Sequence, residues 1–215
     1  MNSYILSSSC SKKDDNNNNP SATTVTDKDG NVYHTVTIGT QVWMVENLKT
    51  TKYNDGSSIP LAIYNNFGGL ITPGYEWYKD DAANKNIYGA LYNWSINLGL
   101  LAPTGWHIPS DAEWNILITY LGGYSVAGDK LREKGTAHWD SPNEGATNAS
   151  GFTALPGGCR QGMNFDMIGG NGFWWSSTKF GSDYVWYMQM AHGFSGVNRD
   201  KTWEESAMSV RCLRN

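Results

Sequence analysis

Apolar positions recur along this chain with two periods, and one stretch carries the helical period clearly. After Trp114, Leu117, Ile118 and Leu121 fall at i+3, i+4 and i+7, which predicts a helix with one apolar stripe facing a core. Ser110 stands at the N-cap position, and Glu113 three residues on completes a capping box. Asp111 and Glu113 also place negative charge at the positive end of the helix dipole. Gly122-Gly123 supplies the stop. Tyr88, Leu91, Tyr92 and Ser95 predict an earlier helix, and Val126, Lys130 and Leu131 a short later one.

The other period is two. Thr24 to Ile38 reads as a β-hairpin about the turn Asp29-Gly30, and Gln41–Val45 as a third strand after Gly39-Thr40. The last third is again β: Phe152–Leu155, Gly172–Ser177, Tyr184–Met190 and Ser206–Leu213 are expected strands. In Tyr184–Met190, Tyr184, Trp186, Met188 and Met190 alternate with Val185, Tyr187 and Gln189. Residues 62–86, Gly135–Ser150 and Gly193–Trp203 lack a clean period and are expected to be long loops. Strand, two main helices, then several short antiparallel strands is an α+β layout.

Ten residues around the helix start, Gly105-Trp106-His107-Ile108-Pro109-Ser110-Asp111-Ala112-Glu113-Trp114, resemble the signature of the Fibrobacter succinogenes major paralogous domain family. Other segments of that family recur in order: Gln41–Leu48, Lys52–Gly56, Tyr88–Trp94, Ser150–Gly158, Phe173–Ser177 and Ser209–Cys212. The resemblance spans roughly residues 24 to 215. It implies a C-type-lectin-like domain of the kind found in secreted or surface proteins of Bacteroidetes-like bacteria, and no settled activity. Many relatives carry Cys where this chain has Ala102.

Residues 1–23 break the pattern. The polar run Asn16–Asn19 before Pro20 is linker-like, so the folded domain is expected at 24–215. Ahead of it, Cys10 follows small residues and precedes the charged tether Lys12–Asp15, which resembles the lipidation site of a bacterial lipoprotein. The apolar stretch Tyr4–Leu6 is shorter than a signal core, so the true start is expected upstream. The alternative is an inert leader with a stray cysteine. The lipoprotein reading places the protein at the outer membrane or cell surface, touching the membrane only through a lipid anchor.

Composition narrows the chemistry. A net charge of −4 gives no footprint for nucleic acid. Twenty-four Gly, ten Trp and twelve Tyr favour a loop-rich, aromatic-rich fold. Within the domain Cys159 and Cys212 are an even pair, natural partners in an exported protein, and the bond would contribute about 4 kcal/mol by loop closure. Two buried free thiols are the alternative. The four histidines show no zinc spacing, and no nucleotide-binding or serine-hydrolase motif occurs. His107 reads as a partly buried residue with a satisfied ring. Calcium is a possible cofactor through loop oxygens such as Asp140, Asn143, Asp183, Asn198, Asp200 and Glu204, although no calcium–sugar triplet of the true C-type lectins is present.

The leading expectation is a non-enzymatic binding module that recognises a glycan or a protein through loops. Its candidate residues are Trp139, Asn198, Asp200, Trp203 and Glu204, aromatic platforms with polar neighbours. The stretch 62–86, with Tyr64, Tyr75 and Trp77, is the fallback. A structural or adhesin subunit of a surface assembly is the alternative. A third reading rests on similarity to formylglycine-generating oxidases, which share a Pro-x-x-x-Glu-Trp helix start (Pro109, Glu113, Trp114). That chemistry implies two reactive cysteines close in sequence, and Cys159 and Cys212 are far apart.

Overall fold

The structure is a computed structural model that describes residues 23–66 and 68–215. Cys10 and the rest of the expected leader up to Ala22 lie outside the described residues. The domain opens as a meander of β1 (Thr24–Thr26), β2 (Val32–Ile38) and β3 (Gln41–Met44). Its first turn is longer than the two residues expected, because Thr26 pairs with Val32 and residues 27–31 form the loop. The Asp27 carboxylate accepts from the N–H groups of Asp29 and Asn31 and from the Tyr33 hydroxyl. A side chain that satisfies several donors at once stabilises this wider turn over a tight one.

Regular structure then appears inside the expected long loop: the hairpin β4 (Ile63–Tyr64) and β5 (Leu70–Thr72), followed by β6 (Tyr75–Glu76). The first expected helix, over Tyr88 to Ser95, does not form: α1 (Lys85–Tyr88) ends where it was to begin, and Leu91–Asn93 is instead strand β7. The break is Gly89, at φ +78°, where a Cβ would lie 2.8 Å from the Leu48 carbonyl oxygen. Backbone packing there overrides the helical spacing.

After α2 (Leu98–Leu101) and β8 (Trp106–His107), α3 (Asp111–Tyr120) forms as its sequence specifies. The Ser110 hydroxyl accepts from the Glu113 N–H, and Glu113 accepts from the Ser110 N–H. At the other end Gly123 N–H bonds Ile118 O and Gly122 N–H bonds Thr119 O, a Schellman closure. Trp114, Leu117 and Ile118 are fully buried. His107 has both ring nitrogens engaged, by Asn215 and Glu113. The short helix expected near Leu131 is α4 (Ala127–Leu131).

The last third contains β9 (Cys159–Gln161), β10 (Asn164–Asp166), β11 (Asn171–Phe180), β12 (Tyr184–Ala191), β13 (Asn198–Trp203), β14 (Ala207–Ser209) and β15 (Leu213–Arg214). Three expectations change here. Phe152–Leu155 makes a single bridge, Arg132 to Ala154. Asn198–Trp203, expected as loop, is a strand on the edge of a sheet. Ser206–Leu213 divides into two strands that join different sheets. One sheet runs β1-β2-β3-β15-β8, and the other β10-β9-β14-β11-β12-β13 with β6 and β7 attached at β14. Mostly antiparallel sheets with a few short helices make the domain α+β.

Strand β11 is central and buried on both faces, so its apolar run is continuous rather than alternating. Trp174 enters a cluster with Trp43, Trp114, Leu117, Phe152, Met188 and Met190. Phe173 and Trp175 enter a second cluster with Tyr33, Met44, Tyr92, Val185 and Tyr187. The period of two in β12 sorts its side chains between these same two cores.

Cys159 and Cys212 are free, buried thiols, so the expected bond between them is not formed. Cys159 faces Asp166, Tyr78 and Tyr187, whereas Cys212 faces Arg211, Tyr33 and Tyr92. Burial pushes both thiols up to about 12. In a Cys10→Ser variant both should therefore resist a disulfide reagent until the domain unfolds, and a fast-reacting thiol in native protein would contradict this. Trp114→Ala should cost about 3–5 kcal/mol by leaving a cavity among rings, and Ser110→Ala about 1 kcal/mol through the cap. Denaturant unfolding measures both, and two unchanged midpoints would refute the assigned helix face.

Candidate functional site

The five residues singled out from the sequence do not stay together. Trp139 is 2% exposed and belongs to the core, which removes it from any ligand surface. Its Nε1 donates to Ala154 O at 3.0 Å, and the Arg132 guanidinium lies over its ring at 5.7 Å. The polar neighbours that suggested exposure serve Arg132 instead. Arg132 donates to Asn143 Oδ1, Ala191 O, Asp129 Oδ1 and Glu144 O. A buried guanidinium needs this many acceptors, and gathering them pins residues 135–150 to the domain.

The other four lie on or just after β13. Asn198 donates to Gln189, and Asp200 accepts the neighbouring Lys201 N–H. On the same strand Arg199 is held by both oxygens of Asp111 and stacks on Trp186 at 3.4 Å, and Lys201 lies over Phe180 at 3.8 Å. Trp203 is the exposed aromatic of the group, at 54%, with Tyr184 against it at 4.4 Å between ring centroids.

Beyond Trp203 the chain turns back into β14, closed by Ser206 N–H to Trp203 O at 3.0 Å. This turn is a ridge with a cleft on each flank. One cleft, about 320 Å³, is lined by Gly68, Gly69, Gln161, Gly162, Trp203 and Glu205, with the hydroxyl residues Thr202 and Ser206. The other, about 430 Å³, has Trp94, Asn97, Lys179 and Glu204 in its wall. Lys179 bonds Glu204 at 3.0 Å and lies over the Trp94 ring at 5.0 Å. The fallback stretch converges on the same place: Gly68 and Gly69 belong to the β4–β5 hairpin, and the Tyr64 hydroxyl donates to Glu205 O at 3.3 Å.

Behind the first cleft sits a buried polar cluster that the sequence does not announce. Glu76, 3% exposed, meets Arg160 Nη1 at 2.9 Å and the Tyr64 hydroxyl at 3.5 Å. Arg160 stacks on Tyr64 at 3.8 Å and donates through Nε to Gly162 O at 3.0 Å. Burial raises the Glu76 carboxyl to about 7 despite Arg160. The Asn93 side-chain amide is buried in the same cluster, directed at the Tyr64 hydroxyl, and its Oδ1 accepts from the Gly74 N–H at 3.3 Å. A single charged residue inside the aromatic run Tyr75-Glu76-Trp77 was the one available signal.

The first cleft thus presents an aromatic face, hydroxyl groups and one exposed carboxylate. Two of the oxygens expected for calcium have partners within the protein. Asn143 is spent on Arg132 and on the carbonyls of Glu133 and Gly135, and Glu204 on Lys179. Among the described residues no group of three or more His, Cys, Asp or Glu is placed to hold a metal, and no helix is long and apolar enough to cross a membrane.

No curated protein and no solved structure matches the chain. The family model of the Fibrobacter succinogenes major domain does match, over residues 36–214. That span runs from β2 to the last strand and includes both clefts and the buried cluster. The chain therefore belongs to the Fibrobacter succinogenes major domain family.

Proposed function

We propose that this domain is a non-enzymatic binding module of lectin-like fold that holds a glycan in the cleft beside Trp203. The observation that carries the reading is a tryptophan 54% exposed at the wall of a 320 Å³ cleft whose other walls are glycine backbone, Gln161 and Glu205. Exposing so large an apolar ring costs stability, and stacking on the apolar face of a sugar offsets that cost. The glycines keep the cleft walls low, their main-chain groups being largely engaged by Asn65 and Arg160, and Gln161, Thr202, Glu205 and Ser206 supply polar side chains for hydroxyls. A protein ligand would use the same ridge, but the cleft is small and polar for a protein anchor.

The alternative of a surface-assembly subunit would draw on the free edge of β13. That edge carries Arg199, Asp200 and Lys201, and the Asp200 carboxylate already occupies the Lys201 N–H, features that discourage a further strand. Chemistry of the formylglycine-generating type would need reactive thiols, and Cys159 and Cys212 are both buried with raised pKa values. We place the protein at the outer membrane or cell surface, anchored through lipid on Cys10. Metabolic lipid labelling that persists unchanged in Cys10→Ser would refute the anchor.

Affinity electrophoresis through gels containing soluble β-glucan, xylan or mannan tests the binding reading. At least one gel should retard the parent protein, and Trp203→Ala should abolish the retardation. Its stability should change by no more than about 0.5–1 kcal/mol, since the ring is largely exposed. Retardation that survives Trp203→Ala would move the site elsewhere, and binding to a surface protein with no response to any glycan would favour a protein ligand.

A further inference from the structure

Two walls of the Trp203 cleft are held from behind by one carboxylate that does not line it. Through Arg160, Glu76 reaches Gly162 O, and it shares the single Tyr64 hydroxyl proton, at 3.5 Å, with Glu205 O at 3.3 Å. Gly162 and Glu205 belong to different strand connections, so Glu76 is where the two walls are tied together. We propose that Glu76 is the positioning residue of this cleft and that ligand affinity there follows its ionisation. The proposal rests on the reading of the cleft as a ligand site.

The groups facing Glu76 come from three directions. Arg160 on β9 attracts the ionised form, Asp80 on the following turn opposes it, and Tyr64 on β4 donates a hydrogen bond to it. Asn93 on β7, uncharged, faces Tyr64 rather than the carboxylate. When Glu76 is ionised, Arg160 has a counter-charge at 2.9 Å and its Nε stays directed at Gly162. Protonation removes that counter-charge while Arg160 keeps its own. Arg160 then gains by turning toward water, which releases the Gly162 wall. Burial sets the Glu76 carboxyl at about 7, so the change falls near neutrality. Binding is therefore strong above that pH and weakens below it.

The test uses the full chain labelled with 5-fluorotryptophan, the Trp203 resonance being identified by its loss in Trp203→Phe. In the absence of ligand, this resonance should shift with a midpoint near pH 7 between about pH 5.5 and 8.5, and Glu76→Gln should remove the shift. Tyr64→Phe keeps the Glu76–Arg160 pair but removes a hydrogen bond that favours ionised Glu76, so it should reduce the size of the shift and move its midpoint upward. A flat signal in the parent, or an identical titration in Glu76→Gln, overturns the proposal. Gels containing β-glucan, xylan or mannan supply the second arm. Affinity should fall about tenfold at the acid end, the scale of one lost charge-assisted hydrogen bond, and lose its pH dependence in Glu76→Gln. Retardation that is equal at both pH values overturns the proposal. A Glu76-dependent shift with no retardation in any gel leaves the positioning role standing and overturns the glycan reading instead.

Discussion

The architecture depends on the buried guanidinium of Arg211. Among the described residues Arg211, in the link between β14 and β15, has no carboxylate within ion-pairing distance and is satisfied largely by backbone carbonyls. Its guanidinium donates to the carbonyls of Met44, Val45, Phe152 and Thr153, and its Nε and Nη2 both reach Asn47 Oδ1, at 3.0 and 2.7 Å. Asn47 extends the network by accepting from Trp174 Nε1 at 2.8 Å and donating to Tyr88 O at 2.9 Å. Removing a charge from water is costly unless its donors find acceptors, and the planar five-donor guanidinium reaches several segments at once. Burial draws the guanidinium down to about 9, so it stays charged at neutral pH. The first sheet, the Phe152 segment and the central strand are joined at this point.

The cleft is built differently. Its walls come from the small β4–β5 hairpin, the β9–β10 turn and the Trp203–Ser206 turn, held by the Glu76–Arg160 pair rather than by the main cores. A charge pair of this kind balances burial cost against attraction, whereas the Arg211 guanidinium is held by main-chain carbonyls and the Asn47 amide, which do not titrate. The scaffold is thus locked by geometry, and the cleft is latched by an equilibrium that acidity can move. Such a division suits a binding protein, since wall adjustments need not disturb the core.

Much of the scaffold was legible in the sequence because local signals agreed with packing. The capping box at Ser110–Glu113, the apolar stripe from Trp114 and the glycine stop each appear where the residues dictate. Failures came where tertiary contacts overrode a local pattern. Leu91 and Tyr92 have helical spacing, but Gly89 must pass close to Leu48, and the segment becomes a strand. Trp139 looked exposed among polar residues because its partner, Arg132, is itself buried and recruits those residues inward. At the candidate site the sequence pointed to Trp203 and Glu204, and separately to Tyr64, but not to their convergence. Glu76 and Arg160 are 84 residues apart, and nothing local marks that pairing.

Native-state hydrogen exchange tests the distinction between lock and latch most directly. The Met44 and Leu48 amides, bonded to Cys212 O and Val210 O, surround Arg211 and should exchange only through global unfolding. The Ala62 and Tyr75 amides, which bond Tyr75 O and Pro60 O at the base of the hairpin, should open separately at a lower free energy. One common exchange free energy for both groups, or faster exchange at Met44 and Leu48, would contradict the account.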